Sequence, residues 1–139
     1  MKKLLLCLFL TFSLSTGYSQ KFISRSLQSA QLDLISVGIY PVKWDTIEKI
    51  CILTNYNDLL IFLEYKSDTT FIVNRETYTY TDTISAGFLY IKMLTNGWVK
   101  KNDGKHVYFY NAYYNVYGKF VLTGKFYISF VIVKTKEEL

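Results

Sequence analysis

The chain has 139 residues, 50% hydrophobic, 18% aromatic and 19% charged, with a formal charge of +5. That is the length of one domain, and its wealth of Tyr, Phe, Ile and Leu excludes intrinsic disorder. With seven Gly, one Pro and two Cys, collagen-like and disulfide-scaffold classes are excluded as well.

The first twenty residues differ from the rest. Lys2 and Lys3 precede the apolar run Leu4 to Leu14, whose eleven residues suit a signal-peptide core and fall short of the roughly 20 needed to span a bilayer. Gly17 and Ser19 supply the small-x-small pattern of a cleavage site, so residues 1–19 are expected to be a cleaved leader and 20–139 a single exported β-rich domain, periplasmic or extracellular. Cys7 lies inside the apolar run, not behind it as a lipoprotein would require. Later apolar stretches, Leu59 to Leu63 and Ile128 to Val133, are strand-sized, so no membrane span is expected in the mature chain. Maturation leaves a charge of +3, 22 aromatic residues in 120 and one thiol, Cys51, which cannot form an internal disulfide.

Along the mature chain, Phe22, Ile23, Leu27 and Ala30 fit helical spacing. Leu32 to Tyr40 reads as a strand ended by Pro41. Asp45 and Glu48 form a capping-box-like pair, predicting a short helix from Thr46 to about Leu53, with a strand over Lys49 to Thr54 as the competing reading. Asn55 to Asp58 is a turn by composition, and Asp58 to Lys66 reads as a strand buried on both faces. Thr69 to Thr83 alternates most clearly, with Tyr78 and Tyr80 on one side and Thr77, Thr79 and Thr81 on the other.

Phe88 to Leu94 reads as a strand closed by the hairpin signal Asn96-Gly97. Trp98 to Lys101 and Lys105 to Tyr117 form the next hairpin, with a bend at Asn111-Ala112 in its long arm. Strands at Lys119 to Thr123 and Lys125 to Lys134 complete the chain. Seven or eight short strands, and no visible internal repeat, predict a mainly β fold: a single antiparallel β-barrel or β-sandwich with one or two short N-terminal helices.

Enzymatic chemistry finds little support. Cys51 and His106 are the only thiol and imidazole of the mature chain, and neither sits in a nucleophile motif. One of each makes a transition-metal site improbable, and no cofactor-binding loop is present. Glu64, Asp68, Glu76 and Asp82 are the carboxylates available for a hydrolytic pair, a third-ranked option.

The informative stretch runs from Trp98 to Tyr127. It holds ten aromatic residues interleaved with Lys100, Lys101, Lys105, Lys119 and Lys125, against one acid, Asp103. Trp98, Tyr108, Tyr110 and Tyr114 with Lys100 and Lys105 are the candidate ligand-binding residues, since Tyr and Trp rings stack on sugars or apolar ligands and lysines attract acidic groups. Strand parity puts Tyr108, Tyr110 and Tyr114 on one face and Phe109, Tyr113 and Tyr117 on the other. The expected function is a non-enzymatic binding module for a sugar or an apolar or acidic small molecule. The alternative is a protein interaction, inhibitor or envelope assembly component; a charge of +3 disfavours nucleic acid.

Overall fold

In the computed structural model, which describes residues 22–66, 71–123 and 127–139, a helix opens the described region and a four-strand meander follows. These are α1 (Leu27–Ile35), β1 (Tyr40–Asp45), β2 (Ile50–Thr54), β3 (Leu59–Tyr65) and β4 (Val73–Tyr80). The second half repeats the order: α2 (Thr83–Thr95), β5 (Trp98–Asn102), β6 (Val107–Asn111), β7 (Val116–Thr123) and β8 (Tyr127–Val133), then a 3-10 turn at Lys136–Glu138. The expected leader, Asp68, Lys125 and Phe126 lie outside the described residues.

The eight strands form one antiparallel sheet in the order β1-β2-β3-β4-β8-β7-β6-β5. The last strands of the two meanders, β4 and β8, pair at the centre, and β1 and β5 form the edges. The mainly β, antiparallel domain is therefore present, as an open sheet in place of a barrel or a sandwich. The helices supply the cover that a second sheet or closure would have given. One helix is N-terminal and the other internal.

Three local differences from the sequence reading lie between α1 and β2. Leu32 is not in a strand: Ser26 caps α1 by accepting from Ser29 N, and Leu27, Ala30 and Leu34 bury one helical stripe. Pro41 does not end a strand but sits inside β1, which tolerates it as an edge strand with a register shift between Pro41 and Lys43. At Asp45, the side chain accepts from Ile47 N and Glu48 N, the chemistry of a helix cap, yet it closes only a tight turn before β2.

Phe88 to Leu94 belongs to α2, not to a strand. Asp82 caps this helix by accepting from Ser85 N at 2.7 Å, and Ala86, Leu89 and Met93 bury its inner stripe. Asn96-Gly97 ends the helix instead of turning a hairpin, with Asn96 N–H donating to Met93 O and Gly97 at φ +80°. Asp82→Ala is expected to cost about 1 kcal/mol through the lost cap, measured as a lower denaturant midpoint with unchanged slope.

The core lies between the helices and one sheet face. It joins Leu27, Ala30 and Leu34 of α1 and Leu89 and Met93 of α2 to inward side chains of β2 to β8, with Phe130 of the central β8 fully buried. Phe130 meets Trp98 edge-on at 5.5 Å and Phe120 at 4.7 Å.

Candidate functional site

Cross-strand register sorts the predicted residues. Trp98 faces Asn111 and Lys100 faces Phe109, and Phe109 in turn faces Gly118, so all of these share the helix-covered side. Trp98 is 3% exposed and takes no part in an accessible surface. Tyr110 pairs with Val99 and with Tyr117, and Tyr117 pairs with Val133, on the side that, among the described residues, carries no helix. Tyr108 shares that side with Tyr110 by strand alternation. Lys105 lies in the β5–β6 turn and Tyr114 in the β6–β7 turn, packed edge-on against Tyr113 at 4.7 Å.

The six predicted residues therefore do not form one surface. Tyr108 and Tyr110 are brought together, and Tyr117 and Lys119 join them. Sequence parity had placed Tyr117 on the opposite face because Lys105 to Tyr117 was read as one arm. Asn111 instead accepts from Tyr113 N and Tyr114 N and closes a complete turn, and this resets the alternation. The usable signal was Asn111 itself, a strong turn former at the proposed bend.

On the helix-free face the Tyr110 and Tyr117 rings lie 4.9 Å apart and Tyr108 and Tyr117 6.2 Å apart. Tyr110 donates its hydroxyl to Asn115 Oδ1 at 3.1 Å. Lys119 and Val131 face each other, as do Val131 and Thr77. Val131, Val133 and Ser129 are buried here without a helix over them, so flanking side chains close over the sheet centre. Ser129 Oγ lies 2.8 Å from both Thr79 Oγ1 and Thr123 Oγ1, satisfying its buried hydroxyl.

The C-terminal turn adds a wall. Lys136 Nζ stands 4.8 Å from the Tyr108 ring centre and pairs with Asp103 in the β5–β6 turn. Lys136, followed by the backbone N–H groups of His106 and Lys105, holds the Asp103 carboxyl well below the usual carboxylate range, and Asp103 raises the Lys136 amine in return. Glu138 reaches Lys66 at 3.7 Å, so the tail is tied to both halves of the sheet. Between tail and sheet lies a recess of about 340 Å³ lined by His106, Tyr108, Lys119, Lys136, Glu137 and Leu139. Position in the last five residues hid this contribution, because a short charged tail reads as fraying.

The groups weighed for catalysis are dispersed. Cys51 is buried on the helix side, where Gln31 Nε2 donates to its sulfur at 3.1 Å, and burial pushes its thiol up. His106 sits at the opposite end of the sheet order, beside β5. Glu64 pairs with Arg75 on the face away from the helices, Glu76 is buried against the Phe22–Ile23 backbone, and Asp82 caps α2, so these three carboxylates share no cleft. Among the described residues, no three His, Cys, Asp or Glu side chains are grouped to hold a metal, and no helix is long and apolar enough to cross a membrane.

Fold and recess define the class: a helix-backed open antiparallel sheet whose other face carries tyrosines and lysines. Compared with family models, curated proteins and solved structures, the chain matches none.

Proposed function

We propose that this is an exported, non-enzymatic binding module whose helix-free sheet face takes a small ligand combining a ring or apolar body with an acidic group. The observation that carries the reading is the recess, where Tyr108 and Lys119 line one space together with His106 and Lys136, three basic or imidazole side chains against the one acidic side chain Glu137. A ring packs on tyrosine faces while an ammonium group meets a carboxylate, and each contact contributes about 1 kcal/mol in a partly exposed site. The tilted Tyr110–Tyr117 ring pair extends the apolar surface beyond the recess. Export rests on the Lys2-Lys3 and Leu4 to Leu14 leader pattern.

Benzoate, a flat ring with one carboxylate, is the probe. Titrated into the protein and followed by amide NMR shifts, it is expected to perturb His106 to Tyr110 and Val116 to Phe120. Tyr108→Ala with Lys119→Ala is expected to weaken its binding at least about tenfold, while the unfolding midpoint changes little because both side chains are partly exposed. Shifts confined to other regions, or affinity unchanged in the double variant, would rule the reading out. A neutral monosaccharide binding at these residues more tightly than benzoate would replace the acidic ligand by a sugar.

A further inference from the structure

We propose that the outward face of α2, with the adjoining ends of β7 and β8, pairs with the same face of a second copy of this chain. At 100° per residue, Ile84, Phe88 and Ile91 fall within about 60° of one another on the side of α2 opposite its buried Leu89 and Met93. Their exposures are 71%, 61% and 59%, and Leu122, which lines a groove with Gly87 and Tyr90 on the flank of the same helix, is 81% exposed. Large apolar side chains this exposed on one helix face mark a contact surface.

Three features select a second copy as occupant. First, ridge and groove lie side by side on one patch. A groove of about 360 Å³ runs between α2 and the β7 and β8 ends, lined by Gly87, Tyr90, Phe120, Leu122 and Ile128 among others. Nothing lies within 4 Å of where a Cβ would stand on Gly87, so the groove is open to an inserted ring. A two-fold contact needs both partners of the fit on the same surface, and here the Phe88 ridge of one copy faces the Gly87 groove of the other.

Second, the area is sufficient. The exposed parts of Ile84, Phe88, Tyr90, Ile91, Leu94 and Leu122 amount to roughly 700 Å², near the share of one partner in a standard interface. Third, among the described residues the patch is nearly without charge. Lys92 is the single charged residue of α2, and the helical period sets it on the flank away from Gly87 and Tyr90. A charged partner finds no complement there. A membrane-surface helix would carry a rim of Lys and Arg, and α2 carries Lys92 alone.

The test is the solution mass of the protein, expressed as the full 139-residue chain, measured by sedimentation equilibrium and light scattering across micromolar concentrations. The expected result is a concentration-dependent dimer whose mass falls two-fold in Phe88→Glu and in Ile91→Lys, with unchanged circular dichroism. Tyr110→Ala, on the opposite face, is expected to leave the dimer intact. Gly87→Trp, which fills the groove without adding charge, also halves the mass and guards against a charge-induced folding defect. A parent protein that stays monomeric overturns the proposal, including one whose patch binds phosphatidylcholine vesicles instead. So does a dimer that survives Phe88→Glu and Ile91→Lys.

Discussion

Replacing Glu76 with Ala is expected to destabilise the protein by about 3–5 kcal/mol, because three donors lose a buried acceptor. Phe22 N–H and Ile23 N–H donate to Glu76 Oε1 at 3.0 and 2.7 Å, and Tyr78 donates its hydroxyl to Oε2 at 2.8 Å. The carboxyl thus ties the segment before α1 to the middle of the sheet, where Glu76 faces Leu63 and Ile132. Against a total stability of about 5–15 kcal/mol, the loss is large.

The same group makes stability depend on pH. Burial raises the Glu76 carboxyl from 4.5 to about 7, while the hydrogen bonds from Tyr78, Ile23 and Phe22 and the charge of Arg25 oppose the rise without cancelling it. Between pH 4.5 and 7 the folded chain keeps this proton and the unfolded chain does not. Stability from Glu76 is therefore fully present below pH 4.5 and declines as pH rises to 7, by about 3 kcal/mol in all.

Glu76→Gln keeps the shape, with the amide oxygen accepting from the two N–H groups and the amide nitrogen donating to Tyr78 Oη. The difference in unfolding free energy between parent and Glu76→Gln is expected to shift toward the variant by about 3 kcal/mol from pH 4.5 to 7, then level off. Urea unfolding at stepped pH measures it; a difference that does not vary with pH would refute the assignment to Glu76.

The second large effect lies at Gly118. A Cβ placed there would stand 2.2 Å from Phe130 Cζ, and Phe130 is locked between Trp98, Phe120 and Phe109. Gly118→Ala should gain about 0.5–1 kcal/mol from reduced backbone freedom, yet overpacking a filled core costs about 1–3 kcal/mol or more, and the clash prevails. A net loss of about 2 kcal/mol is expected, and more for Gly118→Val. Phe130→Leu in the Gly118→Ala background is expected to be milder than the two single effects added together. The coupling between the two sites, read from a double-mutant cycle, should exceed about 1 kcal/mol.

Gly118 and Glu76 also show why some of the molecule was legible in the sequence and some was not. Glu76 reads as one more polar residue in an alternating strand. Nothing local distinguishes a solvated Glu64 from a buried Glu76, since both occupy strand positions and differ in which side the helices cover. Gly118 reads as a break between two strands, whereas it continues β7 opposite Ile132 and gives the Phe130 ring its space. Where one period dominated, as in Val73–Tyr80, the strand and its two faces follow from the sequence, and Tyr127–Val133 lies within the strand expected over Lys125 to Lys134. Where an apolar run was continuous, as in Phe88 to Leu94, the period carried no information. The deciding signals were then the flanking Asp82 and Asn96-Gly97, which helix and hairpin share.

By itself the sequence determined that the chain is mainly β and antiparallel, with its aromatic and basic residues gathered late in the chain, because alternation, turn residues and composition are local properties. Only the tertiary structure decided that two helices cover one face, that β4 and β8 join the halves, and that Trp98 is core while Tyr108, Tyr110, Tyr117 and Lys119 share the free face. Those outcomes depend on hydrogen bonds between segments as far apart as Tyr78 and Phe130, and on which face of the sheet the helices bury. A count of rings and lysines cannot contain that choice, because each strand offers both faces equally until its neighbours are in place.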